Sequence, residues 1–331
     1  MLMSTLPEAS LLDVTSSKLH RSSDAANDSI RIELEAGLLS NPATISPKYL
    51  YDALGSKLFE AICMLPEYYP TRIEANIFAA HRQHIAQAVG QGSTLIDLGA
   101  GNCAKAVQLF PSLHPKRYVP IDISADFLKE ALAPLRQRFP AIEMMGLGLD
   151  FSTSLEMPKT LPEEKRVFFY PGSSIGNFSP CEALAFLRRV HAACGPDGAI
   201  LLGVDLIKND AILNTAYDDA LGVTAAFNLN VLRNVNNLLN TDFDARDWVH
   251  RAFFNTTHKR IEMHLQARQR VTVRWPDGHR HFDRGDGIHT ESSYKYTAQS
   301  FRTLLMQSGF GNIQTWSDAD NWFAVMYARA D

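Results

Sequence analysis

The stretch Leu95-Ile-Asp-Leu-Gly-Ala-Gly-Asn102 constrains this chain more than any other. An apolar run that ends in an acid and then in two spaced glycines reads as a buried strand entering a tight turn. With no Cβ at Gly99 or Gly101, a nucleotide-like ligand can lie close on the backbone. A second apolar run, Tyr118-Val-Pro-Ile-Asp-Ile123, carries Asp122 at the end of the next strand, placed to receive two ribose hydroxyls. A carboxylate there suits a ribose diol and repels a ribose phosphate.

Two ligand classes fit such a loop. A dinucleotide fingerprint needs G-x-G-x-x-G, and here Ala104 stands where the third glycine belongs, a replacement some variants tolerate. The glycines alone leave the two classes close. The acid before them, Asp97, favours the other class, because the layout resembles motif I and the second-strand acid of the class I S-adenosylmethionine (SAM) methyltransferases, where that region faces the methionine moiety.

A length of 331 residues allows about two domains, or one with a large insertion. Apolar residues make up 46% and charged residues 21%, the balance of a globular protein, and a net charge of -4 gives no electrostatic footprint for nucleic acid or anionic membrane. No run of about 18 apolar residues is present, and the start Met1-Leu-Met-Ser-Thr-Leu-Pro-Glu lacks a basic segment followed by an apolar core. A cytoplasmic monomer is expected. Cys63, Cys103, Cys181 and Cys194 show no C-x-x-C spacing and read as reduced thiols. Cys103, inside the glycine loop, is expected to be a small packing residue. Residues 1–27, rich in Ser, Ala and Asp, are expected to be a flexible start.

Helical patterns occupy 28–39, 47–64 and 72–89. Strands and helices then alternate: strand 94–98, helix 103–110, strand 117–122, helix 125–138, strand 142–149, strand 166–170, helix 180–194 and strand 198–204. That alternation predicts a parallel, doubly wound α/β sheet covered on both faces. A helix over 301–308 and strands over 311–316 and 322–329 close the chain, as in class I methyltransferase sheets, whose last strand is antiparallel. Residues 207–296 break the alternation, with helices over 210–220 and 224–239, strands over 251–255 and 260–274, and a loop of Asp, Arg, Gly and His. Inserted after the fifth strand, this region falls above the carboxyl ends of the strands, where such sheets bind ligands. The expected organisation is a substrate-binding lid from 28–72 and 207–296, and a SAM-binding domain from 73–206 and 297–331.

Several longer segments go beyond the methyltransferase class. They are Tyr51-Asp-Ala-Leu-Gly-Ser-Lys-Leu-Phe-Glu60, Leu65-Pro-Glu-Tyr-Tyr-Pro-Thr-Arg-Ile-Glu74, Pro171-Gly-Ser-Ser-Ile-Gly-Asn177, Ala216-Tyr-Asp-Asp-Ala-Leu-Gly-Val-Thr-Ala-Ala-Phe-Asn228, Arg260-Ile-Glu-Met-His-Leu265 and Ile288-His-Thr-Glu-Ser-Ser-Tyr-Lys-Tyr296. Together, from about residue 30 to the end, they resemble the histidine Nα-methyltransferases of ergothioneine biosynthesis. Those enzymes move three methyl groups from SAM onto the α-amine of L-histidine, giving its betaine, hercynine. The resemblance implies that Asn177 and Tyr217 hold the amino-acid carboxylate, that Tyr68 lies at the imidazole, and that Glu291 and Ser293 bind its nitrogens. It places Met263 in the side-chain pocket and Tyr51 near the amine. On the cofactor side it implies SAM contacts from Gly99, Lys105, Asp122, Asp150, Phe151 and Gly172. Two departures, Gly-Asn-Cys-Ala-Lys-Ala without hydroxyls around Lys105 and Tyr170-Pro171 before Gly172, are expected to alter cofactor contacts without abolishing binding.

The residue types make chemical sense. An imidazole can be gripped from both ends by a carboxylate and hydroxyls, while phenyl or indole lacks the second nitrogen. An amide and a phenol can hold a carboxylate without adding a cation beside a sulfonium. An acid followed by an aromatic suits an adenine amine and ring face.

Taken singly, Tyr68-Tyr69 reads as a packed aromatic corner, Asn177 as a turn or helix cap, Met263 as core and Glu291 as an exposed charge; their occurrence in order within the longer motifs shifts each towards a site. His279 and His281 read as a solvated loop with no metal site. The chemistry expected is direct displacement by the neutral α-amine, with no strong general base and with Tyr51 orienting the nucleophile. A relative acting on another aromatic amino acid such as tryptophan would call for an apolar group at Glu291 or Met263. The sheet ending disfavours a nicotinamide oxidoreductase, and a non-catalytic SAM-binding protein would lack the substrate tyrosines and Asn177.

Overall fold

The computed structural model describes residues 19–123 and 125–330. Its strands are β1 (Ala43–Thr44), β2 (Thr94–Leu98), β3 (Arg117–Asp122), β4 (Glu143–Met144), β5 (Leu147–Gly148), β6 (Arg166–Tyr170), β7 (Ala199–Asp205), β8 (Trp248–Asn255), β9 (Arg260–Ala267), β10 (Val271–Trp275), β11 (Gly278–Phe282), β12 (Gly287–Tyr294), β13 (Phe310–Ser317) and β14 (Phe323–Ala330). The large sheet runs β13-β14-β7-β6-β2-β3-β4, with β5 also paired to β3. Strands β2, β3, β4, β6 and β7 pair in parallel, whereas β14 runs antiparallel to both β7 and β13. This is the class I methyltransferase sheet.

Strand alternation builds two cores at once. Ile96, Leu98, Phe168, Ile200 and Leu202 pack on one face with Phe186 and Val190 of helix Pro180–Cys194 and Phe301 and Leu305 of helix Ala298–Gln307. Leu95, Val167, Phe169 and Leu201 face the other way, onto Ile77 of helix Tyr69–Ala80, Ile85 of helix Arg82–Val89 and Leu132 of helix Ala125–Arg138. Burial on both faces explains why these strands read as continuous apolar runs.

A second sheet, β1-β12-β9-β8, and the ribbon β10-β11 follow β7. Its core draws Leu34, Leu38 and Leu50 from the N-terminal segment together with Val231, Trp248, Ile261 and Ile288. Strand β1 pairs in parallel with β12, Ala43 opposite Ile288. The second sheet returns to the first where the Tyr296 amide donates to the Asp205 carbonyl and Leu206 bridges Tyr296.

Several expected elements differ. Helicity begins at Leu19, inside the stretch expected to be flexible; residues 1–18 of that stretch lie outside the described residues. The pattern over 47–64 divides into a short 3-10 turn, Pro47–Leu50, and helix Ala53–Ile62, because Asp52 caps the latter by accepting from the Gly55 amide at 2.7 Å. The segment 72–89 is two helices that meet at His81. Helix 103–110 shortens to Ala104–Val107, with Phe110–Leu113 following. The span 142–149 breaks into β4 and β5, and 260–274 breaks at the polar turn Arg268-Gln-Arg270 into β9 and β10. The presumed loop after it contains β11 and β12, so His279 and His281 sit on a ribbon rather than in a loop.

Gly203 lets helix Tyr69–Ala80 approach β7: a Cβ there would lie 2.1 Å from the Glu74 carboxylate and 2.9 Å from the Phe323 ring. Both neighbours are buried. Gly203→Ala is therefore expected to destabilise the protein by about 1–3 kcal/mol through overpacking. Urea denaturation measures it, and an unchanged midpoint would mean that the helix yields freely.

Candidate active site

Two adjoining sets of side chains gather at the carboxyl ends of the strands. The first surrounds the glycine loop. Gly99 and Gly101 both have positive φ (69° and 50°), a conformation in which a side chain is strained. The space beside Gly101 is open, and the Phe151 ring lies 3.6 Å from where a Gly99 Cβ would stand. Asp122, at the end of β3, accepts from the Gly101 amide at 3.1 Å, which ties the acid to the loop. Asp150 accepts from the Ser152 amide and hydroxyl, and Lys48 lies 3.7 Å away. Phe151 packs edge-on to Tyr170. An open glycine cradle with an acid and an aromatic face beside it fits the adenosine and methionine parts of SAM.

Asp97 does not face this cradle as an open acid. It is buried, accepts from the Tyr118 hydroxyl at 2.7 Å, and burial pushes its carboxyl up to about 7. Cys103 is buried too, and its thiol is pushed up to about 11, which suits packing and not nucleophilic attack.

The second set lines a cavity that is partly open to solvent beside Tyr51. Tyr51, Tyr68, Gly172, Asn177, Tyr217, Met263, Glu291 and Ser293 all contribute, so the substrate residues expected from sequence converge although they come from separate segments. Glu291 and Ser293 alternate on β12 and so share one face; Met263 stands opposite Glu291 on β9. A register shift between His289 and Glu291 re-aims this part of the strand. Asn177 ends the 3-10 turn Ser174–Asn177, which packs on β12 through Gly176: a Cβ there would meet the Tyr294 carbonyl at 2.8 Å. Tyr68 sits edge-on to Phe59 and Tyr217, and Tyr51 to Phe59 and Phe227. Among the described residues, nothing hydrogen-bonds the carboxyl of Glu291 or the side-chain amide of Asn177, while both line the cavity.

Beneath the cavity lies a buried charge cluster that sequence reasoning did not assign. Lys295 is fully buried; its ammonium donates to Ser293 Oγ at 2.8 Å and Tyr217 Oη at 3.0 Å and meets Asp205 Oδ2 at 2.7 Å. Tyr217 in turn donates to Ser293 Oγ at 3.0 Å. Asp205 also accepts from the Tyr69 hydroxyl and from Lys208. Adjacent Tyr68 and Tyr69 thus divide, one to the cavity and one to the charge cluster. Burial would push Asp205 up, but the two lysines hold it below the ordinary carboxylate range. Burial pulls Lys208 down to about 8. Glu74 is the other missed residue: almost wholly buried, it accepts from the Gly172 amide at 2.7 Å and pairs with Lys105 at 2.7 Å, holding Gly172 at positive φ beside the cradle. Lys295 lies two residues beyond Ser293, so strand alternation could have found it; Glu74 on an otherwise apolar helix face carried a weaker signal.

Burial pushes the Glu291 carboxyl from its ordinary 4.5 up to about 7, against the opposing pull of Lys295. Below about pH 4.5 it is neutral whether folded or unfolded, and stability is unaffected. As pH rises towards 7 the unfolded chain ionises first, so folding loses stability. Above about 7 the full cost, on the order of 3 kcal/mol, is in place. Glu291→Gln removes the ionisation, so its Tm should exceed wild type by several degrees at about pH 8 and by less than half as much at about pH 5.5. Equal Tm values at both pH values would show that Glu291 ionises freely in the folded protein.

Comparison with known proteins adds an independent line. The sequence profile of the family described as "Histidine-specific methyltransferase, SAM-dependent" matches residues 30–330. The histidine N-alpha-methyltransferase of Mycobacterium tuberculosis is 37% identical over 316 residues, 93% of this chain and 97% of that protein. That of Mycolicibacterium smegmatis is 37% identical over 312 residues, 92% of this chain and 96% of that protein. Ergothioneine biosynthesis protein 1 of Neurospora crassa is 28% identical over 87% of this chain, which spans 33% of that longer protein.

Proposed function

The chain belongs to the histidine-specific, SAM-dependent methyltransferases, and from that premise we propose that it methylates the α-amine of L-histidine three times, giving hercynine, in the first step of ergothioneine biosynthesis. The observation that carries the choice of substrate is the buried, unpartnered Glu291 carboxyl lining the same cavity as Ser293. SAM, when bound, supplies a methyl group on a sulfonium sulfur that departs as a neutral thioether.

The chain's own residues bind and orient. Gly99, Gly101 and Phe151 would hold the adenosine end, Asp122 the ribose, Asp150 the adenine amine, and Lys105 with Gly172 would flank the methionine part. Asn177 and Tyr217 would hold the histidine carboxylate, Tyr68 and Met263 would flank the ring, and Glu291 and Ser293 would read its nitrogens. An α-amine titrates near 8, so a neutral fraction exists without a strong base, and Tyr51 would orient its lone pair; before each transfer the ammonium loses one proton to solvent, and the third transfer leaves a quaternary nitrogen with none. The N-terminal segment and the region after β7, which share a core, would act as a lid over the strand ends. The enzyme would work as a cytoplasmic monomer; among the described residues no helix is long and apolar enough to cross a membrane. Indole offers one nitrogen only, so a tryptophan substrate would leave a buried polar group unmatched.

Mass spectrometry of the purified protein with SAM and each of the twenty amino acids tests the assignment: the expected product is histidine plus three methyl groups, and preferential methylation of another amino acid would overturn it. By calorimetry, S-adenosylhomocysteine should bind the wild type and not Asp122→Ala, and NAD should bind neither.

Glu291→Ala removes a charge-assisted bond worth roughly 1.5–3 kcal/mol. Histidine kcat/KM should fall about tenfold to a hundredfold while turnover of tryptophan stays level or rises. Unchanged histidine kinetics would mean that Glu291 does not contact the ring.

A further inference from the structure

Lys295 reaches no open solvent, and its ammonium has three N–H groups for three acceptors: Asp205 Oδ2, Tyr217 Oη and Ser293 Oγ. An ammonium donates and never accepts. Both hydroxyl oxygens on the cavity wall therefore have a lone pair already occupied from behind. A hydroxyl whose oxygen is so engaged offers its proton forward. Tyr217 donates that proton to Ser293; a bound substrate would offer the two protons two acceptors. The cavity then presents donors at Tyr217 and Ser293 and an acceptor at Glu291.

We propose that Lys295 is a positioning residue that sets this polarity, making Tyr217 a donor to the substrate carboxylate and Ser293 a donor to the unprotonated ring nitrogen, while the ring N–H points to Glu291. The assignment rests on the histidine reading of the cavity and deepens it. It explains how the site tells imidazole from other flat five-membered rings: the ring must carry one N–H and one bare nitrogen, in fixed places. Without the ammonium, the Tyr217 oxygen is free to accept from Ser293, and the serine proton is no longer committed to the ring.

Lys295→Met tests this. Asp205 keeps Lys208 at 2.5 Å and the Tyr69 hydroxyl, so the substitution leaves a balanced pair and not a lone buried carboxylate. Binding of S-adenosylhomocysteine checks that the variant folds. The probes are histidine and its two pyrrole analogues, 3-(pyrrol-2-yl)alanine and 3-(pyrrol-3-yl)alanine, each of which keeps one ring N–H and replaces the other nitrogen by C–H. In the wild type, histidine should be preferred over both by about a hundredfold or more in kcat/KM, because either analogue leaves a committed donor unmatched.

In Lys295→Met that preference should shrink at least tenfold, histidine falling further than the better analogue. A merely structural lysine would lower all three substrates in parallel, and a preference within twofold of wild type would overturn the proposal. If Lys295→Met does not bind S-adenosylhomocysteine, Ser293→Ala, which leaves the ion pair intact, carries the test: the preference should collapse by a similar factor, and its persistence would overturn the proposal. A wild type that turns over a pyrrole analogue as well as histidine also overturns it. A wild type that methylates no histidine removes the functional reading and this inference together, whereas histidine methylation with an unmoved preference removes the inference alone.

Discussion

The buried contact between Asp205 and Lys295 holds the two sheets of this protein in one arrangement. Asp205 ends β7 in the middle of the large sheet, and Lys295 follows β12 in the second sheet; they meet at 2.7 Å with almost no exposure. Taking such charges out of water is costly unless every remaining hydrogen-bonding position is filled. Here they are filled by groups from four other places: Tyr69 at the start of its helix, Lys208 after β7, Tyr217 at the end of helix Asp210–Tyr217, and Ser293 on β12. Tyr217 and Ser293 line the cavity themselves, and Tyr69 fixes the neighbouring Tyr68 that does, so the geometry of the candidate site follows from a contact lying beneath it.

Charge is managed in the same way on the cofactor side. Among the lysines around the two sets, Lys105 meets Glu74, and Lys208 and Lys295 meet Asp205. Two carboxylates thereby offset most of the charge of the three lysines, which suits a site proposed to hold a sulfonium and to release a quaternary ammonium. Glu74 links this balance to backbone shape, because the carboxylate that pairs Lys105 also accepts from the Gly172 amide. Gly203 is what allows Glu74 to reach that position. A small residue in a central strand thus acts on the binding loop through one carboxylate.

Legibility varied with what each element buries. Strands β2, β3, β6 and β7 bury apolar side chains on both faces, so their place in a parallel sheet could be read as plain apolar runs. Strand β12 could not be read as a strand at all: Glu291, Ser292 and Ser293 are buried, yet polar, because part of the strand is cavity wall. A strand that turns chemistry inward loses the alternation by which strands are recognised. The two-residue β1 left no signal either, since its partner β12 lies far away in sequence. Tyr51, Tyr68, Asn177, Tyr217, Met263, Glu291 and Ser293 were legible as a set through long motifs, and they do share one cavity. Asp205 and Glu74 escaped because a lone acid at the end of an apolar strand, or within an apolar helix, does not announce its partner.

The sequence by itself determined the class of sheet, the glycine cradle with Asp122 behind it, the place of the inserted region and the family to which the residues of the cavity belong. These are local matters: period, glycine spacing and ordered motifs survive in one dimension. Tertiary structure alone decided which side chains neutralise which, that Tyr68 and Tyr69 serve different sites, that burial pushes the Glu291 carboxyl up, and that Lys295 stands behind both hydroxyls. Burial and pairing depend on what other segments bring within about 3 Å, and residues far apart in the chain carry no mark of that meeting until the chain has folded.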